Sequence, residues 1–152
     1  MSVRRAQAAD ADTIGRLLYD FNTEYEEPTP DPPTIAQRVR ELMAADDLVA
    51  LLAGDDEALG LAVLRFRRSL WTPGLECYLA ELYVVPDRRG QGIGRALMEA
   101  GIALARERGA DYMELNTSED DVAARKLYER LGFSRSEGKP GGPINFYYER
   151  EL

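Results

Sequence analysis

Leu79-Ala-Glu-Leu-Tyr-Val-Val-Pro-Asp-Arg-Arg-Gly-Gln-Gly-Ile-Gly-Arg-Ala-Leu-Met98 is the stretch on which the reading of the whole chain turns. Its first residues alternate and are rich in Leu, Tyr and Val, the pattern of a strand. Pro86 and Asp87 end that strand, and glycines at positions 90, 92 and 94 make a turn. Ile93, Leu97, Ala100 and Leu104 then recur on one face of a helix, against a cost of roughly 1 kcal/mol for Gly101 inside it. A strand, a Gly-rich turn and a helix form a cradle for phosphate. The backbone can come close where Cβ atoms are missing, and the unpaired N–H groups of a first helical turn point outward at the anion. Arg88, Arg89 and Arg95 add positive charge to a run that contains no acid between them.

The glycine spacing narrows the kind of phosphate ligand. No Lys follows the glycines, which argues against the Gly-Lys-Ser/Thr loop of nucleoside triphosphatases. A dinucleotide fingerprint would run G-x-G-x-x-G after the first strand of its fold, whereas here the glycines run G-x-G-x-G past mid-chain. Arg89-Gly90-Gln91-Gly92-Ile93-Gly94 resembles instead the coenzyme A loop of the GNAT acetyltransferase superfamily, with its pattern Arg/Gln-x-x-Gly-x-Gly/Ala. A second segment, Ala123-Ala-Arg-Lys-Leu-Tyr-Glu-Arg-Leu-Gly-Phe133, is similar to the same family's Ala-x-x-Leu-Tyr-x-x-x-Gly-Phe at Ala124, Leu127, Tyr128, Gly132 and Phe133. The two motifs stand in the family's order with one strand between them, and together span residues 79 to 133.

The remainder of the chain fits around these motifs. A length of 152 residues suits a single domain, residues 1–152, and 45% hydrophobic with 30% charged residues is ordinary for a globular protein. Val3–Arg5 begins a short strand. Asp10 or Asp12 then caps a helix with Ile14, Leu17, Leu18 and Phe21 inward. Asp31-Pro-Pro-Thr34 opens a second helix, to about Ala45. Strands follow at 48–53, 58–66 and 75–85, with a hairpin turn at Gly54-Asp-Asp56. After the Gly-rich turn and its helix comes a strand at 111–116, a helix from the Ser118–Asp121 cap to Leu131, and two last strands at 133–136 and 144–149. The fold class expected is α/β: a GNAT-type mixed sheet of about seven strands flanked by about four helices.

Composition sets further bounds. There is no His and one cysteine, Cys77, so a histidine-based triad, a disulfide and a multi-cysteine metal site are all excluded, and no metal is expected. A net charge of −8 argues against a nucleic-acid partner. No apolar run reaches membrane-span length and the N-terminus lacks a signal-peptide core, so a cytoplasmic protein without a membrane partner is expected. Asp20, Glu24, Glu26, Glu27 and Asp31 form an acidic stretch free of Lys and Arg, either a solvated loop or an entrance that attracts cations.

The resemblance implies acetyl-CoA as co-substrate and direct attack of a primary amine on it, without an acyl-enzyme. The acceptor is then a small cationic amine; the alternatives are a protein lysine or N-terminus, or a non-catalytic sensor of acyl-CoA. The chain would act alone or as a homodimer. Glu81 is the candidate base and shares a strand face with Tyr83. Tyr128 is by resemblance the proton donor to the leaving thiolate. The resemblance also places backbone N–H groups of Leu82, Tyr83 and Val84, at a bulge of the central strand, on the reacting carbonyl, and residues 89–95 (Arg89, Gly90, Gln91, Gly92, Ile93, Gly94, Arg95) on the pyrophosphate. Asn116 and Asp121 are further cofactor candidates, Asp121 standing where the family often has Asn. Phe21, Tyr25, Trp71 and Glu81 are candidates for the acceptor pocket.

Overall fold

The computed structural model describes Met1–Leu152, which divide into two compact units, residues 1–113 and 114–152. The first unit is built on strands β1 (Val3–Arg5), β2 (Leu48–Ala53), β3 (Gly60–Arg68), β4 (Leu75–Val84) and β5 (Ala110–Glu114), with helices α1 (Ala11–Glu24), α2 (Pro32–Ala44) and α3 (Ile93–Glu107). The sheet order follows the chain, β1-β2-β3-β4-β5. The first three pairings are antiparallel. β5 joins β4 through the α3 crossover, the connection that parallel neighbours need, so the sheet is mixed.

β2 is the heart of this sheet. Its sequence, Leu-Val-Ala-Leu-Leu-Ala, is apolar at every position and buried at every position, because helices cover both faces. Leu48, Ala50 and Leu52 face α1 and α2, joining Ile14, Leu17, Ala36 and Val39 in one cluster with Leu61, Val63 and Tyr83. Leu51 and Leu64 have the opposite parity and meet α3 near Gly101. Asp31 caps α2 by accepting from the Thr34 N–H at 2.9 Å, with Pro32 and Pro33 in the first turn, where a missing N–H costs nothing. Asp10 behaves differently from the expected cap of α1. Its carboxylate turns back to the Gln7 N–H (2.8 Å) and takes both guanidinium nitrogens of Arg4, which together hold it down to about 2.

In the second unit, α4 (Val122–Arg130) is capped by Asp121, which accepts from the Ala124 N–H at 3.1 Å. It ends at Gly132, whose φ of +92° is the left-handed conformation that closes a helix, with the Phe133 N–H returning to the Tyr128 carbonyl at 3.0 Å.

The sheet has five strands and the expectation of about seven fails at the C-terminus. The segments 133–136 and 144–149 meet only at one bridge, Ser136 with Ile144. The turn between them, Gly138-Lys-Pro-Gly-Gly-Pro143, holds two prolines without N–H donors and three glycines that gain nothing from a ladder. Phe146, Tyr147 and Tyr148, the aromatics that suggested a strand, stand exposed.

Two helical glycines carry opposite consequences. A Cβ on Gly15 would lie 2.7 Å from the Pro32 carbonyl oxygen and 3.0 Å from the Ala36 nitrogen, both rigid backbone. The close crossing of α1 and α2 therefore depends on Gly15. A Cβ on Gly101 would lie 3.7–3.8 Å from Leu64 and Leu51, ordinary contact. Gly101→Ala is expected to stabilise the protein by about 0.5–1 kcal/mol through helix propensity. Gly15→Ala is expected to destabilise it by about 1–3 kcal/mol despite the same propensity gain. Urea unfolding followed by circular dichroism measures both, and equal signs would refute the account.

Candidate active site

The register of β4 on β3 slips by one residue: Glu81 lies opposite Val63, but Leu79 lies opposite Leu64. Ala80 is the extra residue of a β-bulge. This one insertion arranges both the side chains and the backbone of the strand end. Because Val63 belongs to the cluster beneath α1 and α2, Glu81 opposite it points to the same side, as does Tyr83 opposite Leu61. Glu81 and Tyr83 thus share a face, as their alternation implies.

The backbone consequence follows from one hydrogen bond. The Val85 N–H donates to the Leu59 carbonyl at 2.9 Å, so two residues back Tyr83 also turns its N–H and C=O toward β3. Leu82 and Val84 send theirs to the other edge. Before the bulge the parity is reversed, since the Leu75 N–H points to that edge and donates to Gly109 at 3.1 Å. β5 starts level with Leu75 and has five residues against ten in β4, so the edge at Leu82 and Val84 lies beyond its end. Of the three residues expected as backbone donors, Leu82 and Val84 turn their N–H groups to this edge, whereas that of Tyr83 faces β3. The bulge itself sits earlier, at Ala80.

Glu81 is half-buried and makes no hydrogen bond or ion pair. Burial alone pushes its carboxyl up from the ordinary value. A half-buried carboxylate with no cation beside it holds a proton more readily than an exposed one. Cys77, also on β4, is fully buried, and burial raises its thiol to about 11, so it is no nucleophile.

After Val85 a short 3-10 turn, Pro86–Arg88, leads to the glycines. Gly92 is the N-cap of α3 with φ +84°, a left-handed conformation that a side chain resists. No side chain caps α3 and no acid stands in its first turn, while the first helical bond runs from the Ala96 N–H to Gly92. The N–H groups of Ile93, Gly94 and Arg95 are thus outside the helix ladder. Gly90, Gln91 and Gly92 are exposed, and nothing lies within 4 Å of where a Cβ on either glycine would be. The donor set and the open space fit a pyrophosphate. Ile93 contributes backbone only, its side chain being buried beside Gly60.

The arginines are less free than the sequence suggested. Arg89 donates through Nη1 and Nη2 to the two oxygens of Glu24 (2.8 and 2.7 Å) and through Nε to the Val84 carbonyl (2.9 Å). The guanidinium in turn holds the Glu24 carboxyl below its usual range. Arg95 pairs with Glu99 on the exposed face of α3, and Arg88 is exposed. The side-chain donors of Arg89 are thus turned to α1 and β4.

Glu24 brings the acceptor candidates with it. Phe21 stacks on Tyr83 with centroids 5.1 Å apart and meets Tyr25 edge-on at 5.6 Å, and the Arg89 guanidinium lies 5.7 Å from the Tyr83 ring centre. Burial, with Glu24 and Asp20 close by, raises the Tyr83 hydroxyl. Phe21, Tyr25, Tyr83, Glu24 and Arg89 form one cluster at the end of β4. Trp71 is not part of it. It stands 86% exposed on the β3–β4 hairpin, at the opposite end of β4 from Tyr83, roughly 25 Å away at the usual rise per residue. Glu24 was legible only as one of five acids. Its spacing of three residues from Phe21 and four from Asp20 places it on the same helical stripe, which was the available signal.

In the second unit, Tyr128 on α4 is buried and packs edge-on to Phe133 at 6.1 Å. Its hydroxyl makes no hydrogen bond, and burial, with a smaller contribution from Asp121, pushes it up to about 12. Asp121 is engaged as the α4 cap, and Asn116 is exposed in the segment before it.

The profile described as the acetyltransferase (GNAT) family matches residues 14–133. The chain is 28% identical to the aminoglycoside N(6')-acetyltransferase type 1 of Stenotrophomonas maltophilia over 141 residues, covering 90% of this chain and 88% of that one. It is 48% identical to a mycothiol acetyltransferase of Thermobispora bispora, over 41% of this chain and only 22% of that protein's length. Among solved structures, a protein of Arthrobacter sp. FB24 assigned to the acetyltransferases superposes with a TM-score of 0.90 at 45% identity, covering 100% of this chain and 96% of the other. With a profile match across most of its length, the chain belongs to the GNAT family of acetyltransferases.

Proposed function

We propose that this protein is an N-acetyltransferase that moves an acetyl group from acetyl-CoA directly onto the primary amine of a small cationic acceptor. The observation that carries the reading is Glu81, a half-buried carboxylate without a partner, set by the Ala80 bulge beside the outward N–H groups of Leu82 and Val84. The Stenotrophomonas relative, named for an aminoglycoside, supports an amine of that class.

Acetyl-CoA supplies the activated acyl group as a thioester. The N–H groups of Gly90 to Arg95 hold its pyrophosphate at the α3 N-terminus. Leu82 and Val84 donate to the carbonyl oxygen as it gains negative charge, where fixed dipoles need no reorganisation. An alkylamine of pKa ~10.4 arrives protonated, so Glu81 takes its proton before the nitrogen can attack. The exposed Tyr25 and the half-buried Phe21 offer aromatic surface to a cation, with Asp20 adding negative potential. Tyr128 remains the proposed proton donor to the thiolate. Its hydroxyl at about 12 is neutral throughout the working range. Full transfer to a thiolate with a conjugate acid near ~8.5 is uphill by about 5 kcal/mol, so Tyr128 donates a hydrogen bond that tightens as sulfur leaves, and the second proton lost by the nitrogen reaches the thiolate through solvent.

The test is release of free CoA from acetyl-CoA with kanamycin, spermidine and a peptide bearing a free N-terminus and a lysine. Turnover of kanamycin or spermidine is expected. Turnover of the peptide alone would move the reading to protein acetylation, and turnover of none to a binding protein.

With the best amine, Glu81→Gln should lower kcat/KM by about 10²-fold or more at pH 7 and recover toward the pKa of the amine, where no base is needed. In the wild type, activity should fall on the acid side as Glu81 takes up a proton, above the ordinary carboxylate range because its value is raised. A flat ratio of variant to wild type from pH 7 to 10 would remove Glu81 from the mechanism. Tyr128→Phe should lower kcat by about 10²–10³-fold with little change in KM for acetyl-CoA. Since the phenol stays protonated to about 12, Tyr128 should add no limb to the wild-type profile below that pH. An unaltered kcat with chemistry rate-limiting would exclude Tyr128.

A further inference from the structure

We propose that Glu24 and Arg89 are positioning residues, a carboxylate–guanidinium clamp that fixes the acceptor helix α1 against the end of β4 and leaves the pyrophosphate to backbone N–H groups. The proposal rests on the acetyltransferase reading and adds to it residues that set the acceptor geometry.

Three parts of the first unit meet at the Arg89 side chain. Its Nη1 and Nη2 close a two-bond fork on Glu24, the last residue of α1. Its Nε holds the carbonyl of Val84, the last residue of β4, whose own N–H faces the open edge. Its plane lies over Tyr83, which is itself stacked on Phe21 one turn before Glu24. The arginine therefore joins the end of the acceptor helix, the aromatic pair beneath it and the strand end that presents the outward donors. Only a planar guanidinium spans all three, because a lysine ammonium lacks the rigid fork and the Nε. The Glu24 carboxylate has 29% of its side-chain surface exposed and that of Arg89 41%, so the pair is better shielded than a fully solvated one.

This assignment leaves the pyrophosphate to the loop's N–H groups and gives the Arg89 side chain a separate task. A guanidinium that already satisfies a carboxylate and a carbonyl has little to offer a diphosphate, and Glu24 beside it would repel that anion. The loop carries its own donors in the unladdered N–H groups of α3, and those do not depend on Arg89.

The experiment compares Arg89→Gln, Arg89→Lys, Glu24→Gln and the double variant Glu24→Gln/Arg89→Lys with the wild type. CoA binding is measured by calorimetry, and acceptor kinetics use whichever of kanamycin, spermidine or the peptide the wild type turns over best. Each single variant should keep the Kd for CoA within about twofold while raising KM for the amine by about fivefold or more, with kcat changed less. The double variant should be no worse than about twofold beyond the single ones, since one clamp is broken only once. A loss of CoA affinity of about tenfold in Arg89→Gln would make Arg89 a phosphate ligand and overturn the proposal. An unmoved amine KM in Arg89→Lys and Glu24→Gln would overturn it as well. Gly92→Asp in the same calorimeter separates the two readings: it should abolish CoA binding, and undiminished binding would overturn the cofactor loop itself rather than the clamp. A wild type that turns over none of the three amines would overturn both.

Discussion

One inserted residue, Ala80, sets the geometry at the end of β4. A regular β4 would alternate without interruption, and its N–H groups at the open edge would belong to residues of the same parity as Leu75. The bulge exchanges that parity midway along the strand. It gives Leu82 and Val84 the open edge and commits Tyr83 to the ladder, while Glu81 and Tyr83 keep a common face. Without the slip, the carboxylate and the outward donors could not have their present relation. A sheet that is continuous at β2 and β3 can carry this disturbance because the rest of its hydrogen bonding is intact.

Electrostatics at the phosphate loop is settled locally rather than by the chain as a whole. In a protein of net charge −8, an anion site needs donors that are insensitive to that excess. Peptide dipoles at a helix start meet the requirement, since they are fixed by the fold and carry no countercharge. The side-chain cations nearby are largely committed: Arg89 to Glu24 and Arg95 to Glu99. The acidic stretch is divided in the same manner. Asp31 serves a helix cap and Glu24 an arginine.

Much of this was legible in the sequence wherever local signals agreed. The apolar run of β2, the Asp31-Pro-Pro start of α2, and the strand–glycine–helix unit from Leu79 to Met98 all formed as their patterns imply. Glu81 on one face with Tyr83 followed from period two alone. What was not legible depends on pairing between distant residues. No local pattern marks Ala80 as the bulge, because a bulge is a relation between two strands. Nor does the charge of Glu24 say that its partner stands 65 residues on. Trp71 suggested an aromatic wall, yet its place on the far hairpin comes from the length of β4, a tertiary fact. At the C-terminus the consecutive aromatics Phe146, Tyr147 and Tyr148 had strand propensity, yet the pairing there stops at one bridge, and propensity for strands is largely a matter of context.

The burial of Cys77 has a consequence for the protein's relation to oxidants. With its thiol at about 11, the thiolate fraction at neutral pH is on the order of 10⁻⁴, and no solvent path reaches the sulfur. No second cysteine exists to form a bridge within the chain. Peroxide, disulfide exchange and electrophiles thus find no foothold on this sulfur in the folded molecule, and no thiol in the medium can trap it as a mixed disulfide.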